Sequence, residues 1–126
     1  MILLSFTVYR CAVSPLGDKI YVTKLSDNKV LTLATDGTVH HTFTDPELRS
    51  PSGIHVTAQG QVLVCDGDSF TIIQLDGEGK KKMATLATRR DGLGGERTQS
   101  VCYNRSTASI IVGQLQSKNI VVFKVK

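Results

Sequence analysis

Apolar residues come in short runs separated by polar turn signals, a spacing that predicts antiparallel strands and no helix. From Ser50 to Lys80 the pattern reads as an extended lead-in past Pro51 and Gly53, a strand over Ile54–Thr57 and a Gln59-Gly60 turn. A strand over Gln61–Cys65, a polar corner at Asp66-Gly67-Asp68-Ser69 and a strand over Phe70–Leu75 follow. The pattern occurs three times. An earlier copy runs from Cys11 to Thr38, with Gly37 and Gly79 at matching places 42 residues apart. A later copy, Val101–Phe123, matches the first at a constant offset of 90, so that Ile20 falls on Ile110, Val22 on Val112, Leu25 on Leu115 and Val30 on Ile120.

A period in the forties built of four short strands is the mark of a β-propeller blade. The first blade, about 11–44, takes Cys11–Ser14, Lys19–Lys24, Lys29–Thr35 and Thr38–Thr44, with the Asp36-Gly37 pair as its hairpin signal. The second, about 53–88, takes Ile54–Thr57, Gln61–Cys65, Phe70–Leu75 and Lys81–Ala87. The third, about 99–126, has Ser100–Tyr103, Ser109–Gln114 and Asn119–Val125, and the orphan strand Ile2–Val8 is the piece that would complete it. The second strand of each copy is apolar on both faces, as in Val62-Leu63-Val64, which a sheet covered on both sides requires.

The run P-S-G-I-x-V-x-x-x-G-x-V-L-V-x-D-x-x-S followed by I-I-Q-L-D-x-x-G, Pro51 to Gly79, resembles the NHL repeat. That resemblance implies a six-bladed propeller of the kind that closes many tripartite-motif ubiquitin ligases. As motif it covers the middle third, and as architecture nearly the whole chain. The third copy departs from it, with Asn104-Arg105-Ser106-Thr107 and Gly113 in place of the turn glycine and the strand-ending Asp. The fold expected is therefore all-β, three four-stranded antiparallel blades forming half of a six-bladed NHL-type ring in one domain spanning 1–126. An open half-ring leaves two apolar blade faces uncovered, which soluble monomers rarely show. Either two chains pair head to tail, each lending its first strand to the other's last blade, or the chain is the second half of a longer propeller. The start at Met1 and the end on a strand favour the homodimer.

Composition narrows the setting. The 126 residues, 40% apolar and 21% charged, suffice for one globular unit. No apolar run is long enough to span a bilayer, and Met1-Ile2-Leu3-Leu4 lacks the basic start of a secretion signal, so the expectation is a cytoplasmic protein with no membrane partner. Three cysteines without C-x-x-C spacing argue against a disulfide framework and a zinc site. His40 and His41 are adjacent on a strand and point to opposite sides, so they cannot share a metal.

The net charge of +4 is unevenly placed, with Lys80-Lys81-Lys82, Arg89-Arg90 and Arg97 between the second and third copies. Loops on one face of the ring would present Lys29, Arg49, His55, Asp68, Ser69, Arg89, Arg90, Arg97 and Lys118. The leading expectation is a non-catalytic recognition module for a protein partner, and the resemblance implies substrate capture for a ligase of that kind. No RING, B-box or coiled-coil segment is present. The alternative is RNA binding, with Lys29, Arg89, Arg90, Arg97 and Lys118 on phosphates. An enzyme is the least favoured reading, because His55 and Asp66 near the expected axis lack a Ser-His-Asp set, a second carboxylate or a His/Cys cluster. No metal or cofactor is expected.

Overall fold

The computed structural model describes residues 8–24, 27–88, 98–114 and 120–124. Those residues form eleven antiparallel strands in three sheets, and no helix occurs among them. The first sheet contains β1 (Val8–Val13), β2 (Lys19–Lys24), β3 (Val30–Ala34) and β4 (Val39–Phe43). The second contains β5 (Pro51–Val56), β6 (Val62–Asp66), β7 (Thr71–Leu75) and β8 (Lys82–Ala87). The third contains β9 (Thr98–Asn104), β10 (Ser109–Gln114) and β11 (Ile120–Lys124). Each sheet runs in sequence order, each strand paired with the next.

Turn chemistry explains that order. Gly17, Gly37, Gly60 and Gly79 all hold positive φ, a region that glycine enters without a Cβ penalty. In the β3–β4 turn the Gly37 amide donates to the Ala34 carbonyl at 2.9 Å, and in the β7–β8 turn the Gly79 amide donates to Asp76 at 3.0 Å. Ser14 and Thr57 close the two β1–β2-type turns in the same way, their hydroxyls accepting the Lys19 and Gln61 amides at 3.0 and 3.1 Å.

Alternation along the strands builds two interior layers. Val62 and Val64 of β6, with Ile73 and Leu75, face the first sheet and pack with Tyr21, Val30 and Phe43. Leu63 and Cys65, with Ile72, point the other way and pack with Val101, Ile110 and Val112 of the third sheet. The second sheet is therefore the middle layer, and every residue of β6 is buried, as the unbroken apolar run requires. The first strands also meet, β1 against β5 and β5 against β9. Val22, Leu31 and Leu33 form a separate buried cluster on the face of the first sheet turned away from the second.

Polar ties fix the first two sheets to each other. The Tyr21 hydroxyl donates to the Gly77 carbonyl at 2.5 Å, and the buried Thr23 hydroxyl donates to the Ser52 carbonyl at 3.1 Å. Gly79 sits against Thr32 Oγ1, where no Cβ would fit.

Two strand boundaries differ most from the expectation. β5 begins at Pro51, ahead of Ile54, because an irregularity in pairing between the two lets Pro51 open an edge strand that needs no amide there. Val8 pairs with Lys24 within the first sheet, so it belongs to β1 and not to an orphan strand. The rest of the expected Ile2–Val8 strand, and with it the completion of the third sheet, lies outside the described residues.

Candidate functional site

The link from β4 to β5 and the β6–β7 corner meet over one carboxylate. Asp66, the last residue of β6, is fully buried. Its Oδ1 accepts the backbone amides of Arg49 and Ser50 at 2.8 and 2.7 Å. Its Oδ2 accepts those of Asp68 and Ser69 at 3.2 and 2.8 Å. Four amide donors offset the desolvation of the charge and fasten both loops in one geometry. The Gly67 amide donates to the Ser50 carbonyl at 3.0 Å across the same junction.

Beside this junction lies a cleft of about 400 Å³ lined by Asn28, Lys29, Thr44, Asp45, Pro46, Leu48 and Arg49. Leu48, the apolar residue within a polar link, is buried with the core between the first and second sheets and anchors the cleft floor. The Glu47 amide donates to Asp45 Oδ1 at 2.9 Å and the Leu48 amide to the Asp45 carbonyl at 2.9 Å, a local turn that turns the link inward.

Charge within the cleft is already sorted. Lys82 of β8 reaches Asp45 at 3.3 Å and Glu47 at 3.0 Å, and Thr85 donates to Glu47 at 2.7 Å. The Thr85 and Lys82 hydrogen bonds hold the Glu47 carboxyl below its ordinary value, and the Glu47 and Asp45 bonds raise the Lys82 ammonium above its own. Asp45 thus has a cation of its own. Lys29 and Arg49 are exposed and make no ion pair with a described residue.

The structure brings Lys29 and Arg49 to one cleft, and the Asp66 carboxylate that binds the Arg49 amide also binds those of Asp68 and Ser69. The Ser69 hydroxyl is engaged with Thr71 at 2.7 Å, so its role is to shape the corner. His55 lies elsewhere. It pairs with Leu63, whose side chain faces the third sheet, so His55 looks toward that sheet, half-buried, with its pKa lowered by desolvation. Arg89, Arg90, Arg97 and Lys118 lie outside the described residues. Among the described residues no three His, Cys, Asp or Glu side chains come together as metal ligands.

Sequence reasoning missed Leu48, the Lys82 cluster and the amide-binding role of Asp66. The signals present were one leucine in a polar linker and one Asp closing an apolar strand. At the opposite ends of the strands a second cleft, about 570 Å³, lies among the Ser14–Lys19, Ala58–Gly60 and Asp76–Glu78 turns. Desolvation there, with Asp18 and Asp76 nearby, raises the Tyr21 phenol pKa.

No family model matches the chain, and no curated protein matches it. Solved structures do. Hydrazine synthase from Kuenenia stuttgartiensis matches with a TM-score of 0.76 at 15% identity, over 98% of this chain and 34% of that one. A protein of unknown function from Bacteroides caccae matches with a TM-score of 0.70 at 15% identity, over 90% of this chain and 40% of that one. The likeness is one of fold, and the chain spans well under half the length of either structure. No helix among the described residues is long and apolar enough to cross a membrane.

Proposed function

We propose that the three sheets are consecutive blades of an NHL-type propeller and that the chain is a non-catalytic recognition module. It takes an acidic segment of a protein partner into the cleft beside Asp66. The blade reading is supported by the repeat period, by the stacking of the second sheet between its neighbours and by the contacts of β1 with β5 and β5 with β9. The observation that carries the function is the pair Lys29 and Arg49, two exposed cations lining one cleft whose own carboxylate, Asp45, is held by Lys82. Arg49 stands on a backbone fixed by Asp66, so its guanidinium is presented from a rigid base that favours bidentate capture of a carboxylate. Capture of substrates for a tripartite-motif-type ligase fits this mode, with catalysis supplied by other domains.

RNA is the second reading, and the described face favours it less. Arg49 shares the Asp66 junction with the exposed Asp68, whereas tracking a phosphate backbone takes several cations. Binding of a labelled glutamate-rich peptide and of a labelled RNA stem-loop, each at low and at physiological salt, tests both. The expected result is peptide binding that weakens about tenfold or more, ~1.4 kcal/mol, in the Lys29→Ala/Arg49→Ala variant. Peptide binding that is absent, or indifferent to the double variant, sinks the reading. Stem-loop binding with a steep salt slope transfers it to RNA.

A further inference from the structure

Tyr21 and Leu63 hold the same place in their strands. Tyr21 pairs with Ala12 and Thr32, and Leu63 pairs with His55 and Gln74. Each is buried against the sheet that follows its own. The Tyr21 ring crosses the first joint, and its hydroxyl donates to the Gly77 carbonyl in the β7–β8 turn. Leucine has neither that length nor a hydroxyl, and at the second joint a cavity of about 190 Å³ stays open.

The lining of this cavity divides by chemistry. The second sheet contributes the amides of Gln59, Gln61 and Gln74 together with Leu86, and the third contributes Tyr103 and Ile110. Among the described residues no charged side chain lines it, whereas the cleft at the first joint is lined by Asp18, Lys19, Asp76 and Glu78. Gln74 Nε2 donates to Gln61 Oε1 at 2.5 Å. That bond orients the two amides and leaves N–H donors on both residues, with the Gln74 carbonyl oxygen, for a further partner.

We propose that this cavity takes a single uncharged sugar ring. An ion there would give up water without an opposite charge to meet it, so the lining selects a neutral ligand. Room for about six waters, at ~30 Å³ each, falls short of the ~300 Å³ at which drug-sized sites begin, and it admits one ring. Sugar hydroxyls both donate and accept, as the paired amides do. The C–H face of the sugar carries slight positive charge, which suits an aromatic ring such as Tyr103. A planar heterocycle presents its polar atoms in one plane, whereas the amides here come from the β5–β6 turn, the residue before β6, and β7. The cavity shares no residue with the Lys29 and Arg49 cleft, so either proposal can fail alone.

Saturation-transfer NMR of the full chain with glucose, galactose, mannose and N-acetylglucosamine, each as the free sugar and as the methyl glycoside, tests this. At least one should take up saturation at its ring C–H protons, bind in the millimolar range and shift the side-chain amide signals of Gln61 and Gln74. A methyl glycoside that binds like its free sugar points to the end residue of a glycan, and one that does not points to the free sugar; either supports the site. Gln61→Leu, close to constant in size, should weaken binding about tenfold or more. Leu86→Trp, which fills the cavity from a half-buried position, should abolish it, and both variants should keep a dispersed amide spectrum. No transfer to any probe, shifts confined to residues elsewhere, binding unchanged in either variant, or equal binding of uracil and adenine overturns the proposal.

Discussion

Asp66 Oδ1 accepts the backbone amide of Ser50 at 2.7 Å, from a position sixteen residues further along the chain. Through that bond and its three companions the end of a core strand sets the path of the link that carries Arg49. A cleft whose shape depends on one buried carboxylate is rigid for as long as that carboxylate keeps both oxygens.

Asp66→Asn tests this directly. The amide keeps one acceptor and puts a donor where the other oxygen stood, so two backbone N–H groups lose their partner in a fully buried place. At about 1–3 kcal/mol for each stranded donor, we expect a loss of about 2–4 kcal/mol in urea unfolding, a large share of the ~5–15 kcal/mol typical of a domain. Peptide binding at the cleft should weaken in the same variant. Unfolding within 1 kcal/mol of the parent, on the same order-of-magnitude scale, contradicts this role for Asp66.

The contact of Thr32 with Gly79 makes a paired prediction. Thr32 Oγ1 is buried without a hydrogen-bond partner among the described residues, so Thr32→Val removes an unmet polar group at almost constant volume. Its effect should be neutral or stabilising by up to about 1 kcal/mol. Gly79→Ala should cost more than about 2 kcal/mol, because its Cβ would meet Thr32 Oγ1 while the backbone holds φ at +69°. Thermal melts of the two variants should move in different directions or by clearly different amounts.

Two non-glycine residues occupy the left-handed region, Phe70 at φ 55° and Ala108 at φ 51°. Ala108 tips the β9–β10 turn and has little to lose, so Ala108→Gly should stabilise by about 0.5–1 kcal/mol as the backbone strain is relieved. Phe70 packs on the core between the second and third sheets. There the same substitution relieves the same strain but discards the ring, and the balance should be a loss of about 2 kcal/mol or more. Calorimetry of both variants checks the opposite signs.

Burial lowers the His55 pKa, so the unfolded chain takes up a proton there more readily than the folded one. Stability from the neutral imidazole is therefore present above the ordinary histidine value of 6.5 and is lost as pH falls through it toward the lower folded value. The melting temperature should decline between neutral pH and about pH 5, above the range of ordinary carboxylates. His55→Gln should flatten that decline, and an unchanged slope would remove His55 from the explanation.

Much of the sheet architecture was legible because local rules and packing agree. Val62-Leu63-Val64 is apolar at consecutive positions, and only a strand covered on both faces tolerates that, which is how β6 sits. Asp36-Gly37 announced a turn that the positive φ of Gly37 confirms. The site was less legible. Asp66 looks like any polar corner residue until the link from Arg49 to Ser50 is brought over it, and that approach is tertiary. His55 reads as a possible loop-face residue because its alternation in β5 is offset by the irregular pairing between Pro51 and Ile54. Thr32 and Gly79 stand far apart in sequence, and nothing local marks them as neighbours.

The middle sheet has consequences for how such a chain tolerates change. With both broad sides of β6 and β7 pressed against neighbours, substitutions there must keep volume as well as polarity, while β8 alternates between sheltered and open positions. Tolerance is thereby driven to the strand ends and the outermost strand. Insertions and fluorescent tags should be accepted in the Ser14–Lys19 or Arg105–Ala108 turns, and a cut through the Thr44–Ser50 link should yield fragments that precipitate unless they are kept together.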